Sequence, residues 1–321
     1  MPERIVVLDG YTLNPGDIDW SPVAQHGDLV VHDRTAPDEL LNRAAGASCV
    51  LLNKTPLDDA AMAKLPDLRY VGVLATGYNV VNVAAAASRG IVVTNIPTYG
   101  TDSVAQHVTA LMLEFCRGTA VHDSAVHSGQ WSANEDWCFA LTPIFELSGK
   151  TLGIVGIGRI GRAVARIGAA MGMRVIACDN HWPEAELADL SVSQVGLQEL
   201  FESADVVSLH CPLTPETDKL VNEERLGAMK PNALLINTSR GPLIDNDALA
   251  KALRAGVIAG AALDVLDVEP PSAAHPLLEA PNCIVTPHIA WYAKEARARL
   301  MQIAADNLRA YLRGRPANVV T

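Results

Sequence analysis

Three residues far apart in the chain, Arg240, Glu269 and His288, stand in short contexts suited to one piece of chemistry. Arg240 lies in Asn237-Thr238-Ser239-Arg240-Gly241, Glu269 in Asp267-Val268-Glu269-Pro270, and His288 in Thr286-Pro287-His288-Ile289-Ala290-Trp291. A guanidinium can hold an α-keto carboxylate, an imidazole can carry a proton near neutral pH, and a carboxylate can hold that imidazole. Reversible hydride transfer to a 2-keto acid needs all three, together with a cofactor that carries the hydride. Each residue also has a plainer reading: a strand-end turn for His288, neutralisation of a helix end for Arg240, a surface position for Glu269. Those readings require three accidents in one chain.

A cofactor loop precedes them. In Gly156-Ile157-Gly158-Arg159-Ile160-Gly161 the first glycine permits a tight strand-to-helix turn. The second lets the backbone approach a pyrophosphate, and the third allows close helix–sheet packing. Backbone amides at the helix start then meet the anion. The pattern alone could be a mere turn. Its context is more specific, because a strand-like run precedes it, a helical run follows, and Asp179 stands 18 residues past Gly161. A carboxylate there accepts hydrogen bonds from ribose hydroxyls and repels a 2′-phosphate. Asn180 and His181 follow it, with no arginine to clamp that phosphate, so NAD is favoured over NADP.

The elements that must hold these residues can be read from hydrophobic pattern. Over the first hundred residues, β-branched runs at 5–8, 29–31, 50–52, 70–74 and 91–94 alternate with helical stretches at 37–47, 58–65 and 82–89. That alternation implies parallel βαβ units. A long amphipathic helix over 102–117 crosses into a second domain. There, strands are predicted at 152–155, 174–178, 206–209, 234–237, 260–264 and 283–285, with a helix over 162–171. A last helix over 294–312 returns to the first domain. The fold class is therefore α/β, with two doubly wound parallel-sheet domains. Residues 1–100 and 294–321 are expected to form one domain, left for the substrate, and 101–293, which carries the glycine loop, the dinucleotide-binding Rossmann domain.

Composition bounds the rest. The chain has 321 residues, 49% of them hydrophobic and 19% charged, which suits two ordinary globular cores. A net charge of −11 argues against binding nucleic acid or an anionic membrane through bulk electrostatics. The N-terminus lacks the form of a signal peptide, and no apolar run is long enough to span a bilayer. Cys49, Cys116, Cys138, Cys178, Cys211 and Cys283 are too scattered for a disulfide framework or a zinc site. They read as reduced, buried thiols, no metal is expected, and a soluble cytoplasmic protein is the default expectation.

In its motifs the chain resembles the D-2-hydroxyacid dehydrogenase family, and within it most closely the glycerate dehydrogenases, or hydroxypyruvate reductases. The motifs are Gly77-Tyr78-Asn79, Thr101-Asp102-Ser103-Val104-Ala105-Gln106, the segments 149–156, 210–214 and 237–241, Ala262-Leu263-Asp264-Val265, and 286–291. The resemblance implies that His288 is the acid/base, Glu269 its acidic partner, and Arg240 the holder of the substrate carboxylate and carbonyl. It implies that the amides of Leu74, Ala75, Thr76 and Gly77 grip the carboxylate, although a glycine there could simply make a turn. Lys54 matches a lysine that adds charge for the substrate; a solvated strand-end lysine is the alternative. Arg159, Ile160, Cys211, Thr238 and Asp264 match positions lining the dinucleotide, with Asp264 near the nicotinamide carboxamide. Thr101 matches a position beside the cofactor, though a threonine before a helix is also an ordinary cap.

The segment 131–145 concentrates Trp131, Trp137, Phe139 and Phe145 in a chain with few aromatics. In the family this region forms an arm across a two-fold dimer interface, so a homodimer is expected; a local aromatic cluster is the other reading. The resemblance also implies an active site in a cleft between two domains whose closure excludes water. The expected substrates are hydroxypyruvate and glyoxylate, with phosphoglycerate or a branched 2-keto acid as alternatives. Formate oxidation is disfavoured by an acidic residue at 269 where formate enzymes carry an amide. A different class, an NAD-sensing binding protein related to co-repressors of this fold, could retain the same three residues.

Overall fold

The structure, a computed structural model, describes residues 2–321. The chain divides into two compact units, residues 2–100 with Trp291–Thr321, and Thr101–Ala290. Both are built on parallel sheets.

In the first unit, β1 (Arg4–Val7), β2 (Asp28–Val31), β3 (Cys49–Leu52), β4 (Tyr70–Val73) and β5 (Val92–Thr94) pair in the order β2-β1-β3-β4-β5. This is the flavodoxin-like order, with a topological switch between β1 and β3. Strands β3 and β4 are buried along their whole length, because parallel strands are covered on both faces and need apolar side chains pointing both ways. The period of two is explicit. Val6, Leu8, Val50 and Leu52 face one core with Leu40, Met62 and Ala86, while Ile5, Val7, Cys49 and Leu51 face another. The second core is closed by the helix Lys294–Leu312 through Leu300, Met301, Ala304, Ala305 and Leu308. Tyr311 on that helix stacks on Tyr70 at 4.7 Å. Arg297 ties the helix to Asp17 through two hydrogen bonds of 2.7 and 2.8 Å.

In the second unit, seven strands pair in the order β12-β11-β10-β9-β6-β7-β8, all parallel. They are β6 (Thr151–Val155), β7 (Arg174–Cys178), β8 (Val192–Gln194), β9 (Val206–Leu209), β10 (Leu234–Asn237), β11 (Gly260–Leu263) and β12 (Cys283–Val285). From β6 the chain winds outward to β8, then returns to place β9 on the other side of β6 and winds outward again. The order is that of a Rossmann sheet with one added strand, and its switch point lies between β6 and β9. The helix after the cofactor loop runs Arg159–Ala170, beginning three residues earlier than the apolar pattern suggests. Several elements lack an anticipated counterpart, among them the helices Leu197–Ser203, Glu223–Ala228 and Asn246–Arg254. β8 is a short edge strand with an exposed tail, so it carries no apolar run, and Thr119–His127 is a helix with one fully buried residue, Ala125. Among the described residues no helix is long and apolar enough to cross a membrane.

Candidate active site

The C-terminal rim of the second sheet gathers most of the residues singled out by type. Following the strand order, His288 comes after β12, Glu269 after β11, Arg240 after β10, Cys211 after β9, Gly156 after β6 and Asp179 after β7. Parallel topology places all of these loops at one end of the sheet, where open α/β sheets bind ligands.

Around the switch point the chain is shaped for a dinucleotide. Gly156 has φ +94°, and a Cβ there would lie 2.6 Å from the Cys211 amide nitrogen, so the turn nests against the loop after β9. A Cβ on Gly161 would lie 2.2 Å from the Gly156 carbonyl oxygen, which is the close helix approach that the third glycine serves. Beside Gly158 the space is open, and this residue offers no side-chain cap to the 12-residue helix that follows. First-turn amides such as those of Ile160 and Gly161 have no intrahelical acceptor, as at any helix start, a donor set of the kind that suits an anion. Asp179 accepts from the Ile157 amide at 2.7 Å and from the His181 amide at 2.9 Å, so it braces the glycine loop. Ser239 donates to the Cys211 carbonyl at 2.8 Å, and its neighbour Thr238 has a buried hydroxyl with no partner. A buried orphan hydroxyl beside a glycine loop is what a ligand-lined surface shows before a ligand is counted. These residues fit a nicotinamide dinucleotide.

On the other side of the switch, His288 and Glu269 meet. His288 Nδ1 lies 2.5 Å from Glu269 Oε2, with both side chains about one-third exposed. A carboxylate only accepts, so Nδ1 carries the hydrogen and Nε2 is the atom left to exchange a proton. Glu269 is itself positioned, its Oε1 accepting from the Leu266 amide at 3.1 Å. His288 has φ +54°, a left-handed conformation uncommon outside glycine. Its amide reaches the carbonyls of Asp264 and Thr286 at 2.9 and 3.0 Å. Arg240 is exposed at the end of a segment fixed by Asn237, whose Nδ2 donates to the Arg240 carbonyl at 2.8 Å. The guanidinium bonds the Ser239 carbonyl at 2.7 Å through Nη1.

Asp264 is 1% exposed, and its carboxylate serves the chain's own backbone. Oδ1 accepts from the Thr286 hydroxyl at 2.6 Å and the Ile289 amide at 2.9 Å, and Oδ2 from the Ala290 amide at 2.8 Å. Burial pushes this carboxyl up, but hydrogen bonds from His107, Thr286, Ala290 and Ile289 outweigh it and hold the group below the usual carboxylate value. The structure thus shows Asp264 organising the turn that carries His288. Thr101 opens the helix Thr101–Arg117, and Arg159 and Ile160 open the helix after the glycine loop.

The first unit holds the remaining residues, at the end of its own sheet. Lys54 follows β3 in a loop organised by Asp9, whose carboxylate accepts from the amides of Asn53, Lys54 and Thr55 at 2.7, 2.5 and 2.8 Å. Asp9 was not singled out by motif; an acidic residue just past a buried first strand is the signal that could have marked it. After β4, the Leu74 amide is taken by the Leu52 carbonyl at 2.7 Å. No backbone hydrogen bond is made by the amides of Ala75, Thr76 and Gly77 among the described residues, so of the four amides expected to meet a carboxylate only that of Leu74 is already taken. Thr76 anchors the loop by donating to the Ile96 carbonyl at 2.8 Å.

In residues 131–145 the aromatics make some contacts within the chain. Trp131 donates to the Trp137 carbonyl at 2.9 Å, and Phe145 meets Phe115 edge to face at 6.3 Å. Even so, Trp131 is 51% and Trp137 85% exposed, with Leu141 and Ile144 also open to solvent. All six cysteines are free, and among the described residues no cluster of three or more metal-ligating side chains occurs.

Comparison with known proteins identifies the family. Residues 109–290 match the family model described as D-isomer specific 2-hydroxyacid dehydrogenase, NAD binding domain. The hydroxypyruvate reductase of Blautia hydrogenotrophica is 49% identical over 320 residues, covering 99% of each chain. The glycerate dehydrogenase of Methylorubrum extorquens is 41% identical, covering 100% of this chain and 99% of its own. Among solved structures, the D-lactate dehydrogenase of Aquifex aeolicus complexed with NAD and lactic acid superposes with a TM-score of 0.83 at 28% identity. It covers 97% of this chain and 96% of its own.

Proposed function

We propose, from the premise that the chain belongs to the D-isomer specific 2-hydroxyacid dehydrogenases and is an NAD-dependent oxidoreductase, that it reduces hydroxypyruvate and glyoxylate to D-glycerate and glycolate. The observation that carries the chemistry is the 2.5 Å pair of His288 and Glu269 on the same sheet rim as the glycine loop. Support for the substrate comes from the names of the two relatives that align end to end.

In this reading Arg240 holds the substrate carboxylate in a planar, two-point grip that a lysine could not reproduce. The amides of Ala75, Thr76 and Gly77 share the anion, and Lys54 adds positive charge. Gly156, Gly158, Ile160, Gly161, Thr238 and Asp179 would hold the nicotinamide cofactor, which would supply the hydride. His288, protonated at Nε2, delivers its proton to the ketone oxygen; in the reverse direction neutral Nε2 removes it from the hydroxyl. Glu269 orients the ring and stabilises the imidazolium. Asp264 acts through the backbone of the His288 turn. The enzyme works in the cytoplasm as a homodimer, with residues 131–145 in the interface, a role supported by the exposed rings of Trp131 and Trp137.

The test is a panel of 2-keto acids reduced with NADH, run beside His288→Ala. Hydroxypyruvate should give the highest kcat/KM with glyoxylate second, ahead of pyruvate, branched keto acids and phosphohydroxypyruvate. A hydroxyl that finds a partner contributes roughly 0.5–1.5 kcal/mol, enough for a few-fold preference over pyruvate. His288→Ala should lose about 10²- to 10⁴-fold in kcat while still binding NADH. A branched acid at the head of the panel overturns the substrate assignment and leaves the mechanism standing. No reduction of any keto acid would favour a binding protein.

A further inference from the structure

His107 lies on the helix Thr101–Arg117, far in sequence from the acid/base pair, yet it touches the turn that carries His288. Its Nε2 is 3.1 Å from the Thr286 hydroxyl and 3.5 Å from Asp264 Oδ1. Thr286 has one hydroxyl hydrogen, and at 2.6 Å from Asp264 Oδ1 that hydrogen belongs to the carboxylate. Toward His107 the threonine oxygen can only accept, so Nε2 of His107 carries a hydrogen and donates it. The result is an ordered chain, His107 Nε2–H to Thr286 Oγ1–H to Asp264 Oδ1, completed by the amides of Ile289 and Ala290 on the same carboxylate.

The chain brackets His288. Thr286 lies two residues before it, and Ile289 and Ala290 directly after it, while the His288 amide donates to the Asp264 carbonyl at 2.9 Å. His288 itself holds a left-handed φ of +54°, which persists only where the surroundings over-determine it. The Asp264 carboxylate is sealed from water, with a side-chain exposure of 0%, and His107 is 19% exposed. Bonds in such a place are stiff and mutually reinforcing. A second tie fixes the same turn to the same helix, from the Ser103 hydroxyl to the Ala290 carbonyl at 2.6 Å.

We propose that His107 is a positioning residue for His288: by donating from Nε2 to Thr286 it orients the hydroxyl that locks Asp264, and so holds the 286–290 turn in the conformation that aims the acid/base. The proposal rests on the reading of His288 as the proton donor. It assigns His107 no contact with substrate or cofactor. Removing the donor leaves the fold and the nucleotide rim intact but lets the turn relax by a fraction of an ångström to an ångström. Misplacement on that scale can cost up to about 100-fold in rate.

The experiment compares His107→Leu, which removes the donor, with His107→Gln, whose amide nitrogen can donate from a similar position. With hydroxypyruvate and NADH, His107→Leu should lower kcat by about 10- to 100-fold, with the NADH dissociation constant near wild type. His107→Gln should recover most of the loss, which a purely packing role would not produce. Should His107→Leu not fold, Thr286→Val against Thr286→Ser reads the same chain through its middle member. The proposal is overturned by an unimpaired His107→Leu, by an equal loss in the leucine and glutamine variants, or by a defect confined to NADH binding. His288→Ala separates the two levels. If it retains wild-type kcat, the reading of the site fails; if it is inactive while His107→Leu and Thr286→Val are not impaired, only the positioning role fails.

Discussion

Gly241 follows Arg240 directly and is buried against the loop that carries Glu269, and its replacement by alanine tests how tightly the two are joined. A Cβ at this position would lie 1.9 Å from the Leu266 carbonyl carbon, 2.0 Å from its oxygen and 2.4 Å from the Asp267 nitrogen. All three are backbone atoms, so no side-chain rotation relieves the clash. Ordinary carbon–carbon contact begins near 3.5 Å, so the two segments must part by about 1.5 Å. Overpacking of this kind costs about 1–3 kcal/mol, which for a unit of this size lowers Tm by roughly 2–4 °C per kcal/mol. The effect on turnover should be larger than the effect on stability. The Leu266 amide is bonded to Glu269 Oε1, so displacing Leu266 draws the carboxylate away from His288 while Arg240 shifts the other way. An ångström of misplacement predicts a fall in kcat/KM of about 100-fold. NADH affinity should fall far less, because of the residues proposed to hold the cofactor only Thr238 lies near Gly241, while Gly156, Gly158, Ile160, Gly161 and Asp179 lie on loops across the switch point. Steady-state reduction of hydroxypyruvate, NADH fluorescence titration and thermal melting would be measured on one preparation. Wild-type kcat/KM in Gly241→Ala would refute the claim that Arg240 and Glu269 share one rigid backbone contact.

Three further outcomes can be checked. The enzyme should prefer NADH to NADPH. Asp179→Ala should weaken NADH binding by about 10- to 100-fold, because the Ile157 amide loses a charged acceptor worth about 1.5–3 kcal/mol; equal kcat/KM for the two cofactors in the wild type would remove this reading of Asp179. Burial pushes the His210 imidazole down from 6.5 to about 4, so the folded state binds fewer protons than the unfolded one between those values. Its contribution is complete above about pH 6.5 and lost as pH falls toward 4, with about 2 kcal/mol gone by about pH 5; urea unfolding at about pH 7 and pH 5 should therefore show a steeper loss in wild type than in His210→Asn, and parallel losses would exclude the effect. Trp137→Glu should convert a sedimenting dimer to monomer, since Trp137 is 85% exposed in the isolated chain; a wild-type monomer at micromolar concentration would remove the interface.

Much of the fold was legible because buried parallel strands must be apolar on both faces, so segments such as Val206–Leu209 and Leu234–Asn237 stand out as short, largely apolar runs. The strand Val192–Gln194 escaped for the converse reason: at the sheet edge only part of it is covered, and a Val-Ser-Gln triplet carries no signal. The helix start at Arg159 was obscured because its first turn is occupied by the glycine loop, where backbone chemistry overrides apolar spacing. In the candidate site, residue type and context suggest what Arg240, Glu269 and His288 could do, but they do not say which way a carboxylate points. Asp264 and Asp9 show the difficulty. Each is an aspartate near a strand end, a place where a ligand contact and a backbone brace look identical in one dimension, and each spends its oxygens on the amides of its own chain. His107 is invisible for a related reason, since a histidine on an amphipathic helix says nothing about a loop some 180 residues away.

On the role proposed for Lys54, the loop at Asn53, Lys54 and Thr55 has a consequence for how a small anion would be met. Three converging amides form a pocket of positive potential that would ordinarily attract an anion from solution. Here Asp9 fills it from within, so the loop is folded around its own counterion before any ligand arrives. The entropy of ordering those residues is lost during folding and not at each encounter, which is how preorganisation raises affinity without adding contacts. A two- or three-carbon acid has few atoms with which to offset the ordering of a loop. A receptor for such a ligand gains most by being finished in advance.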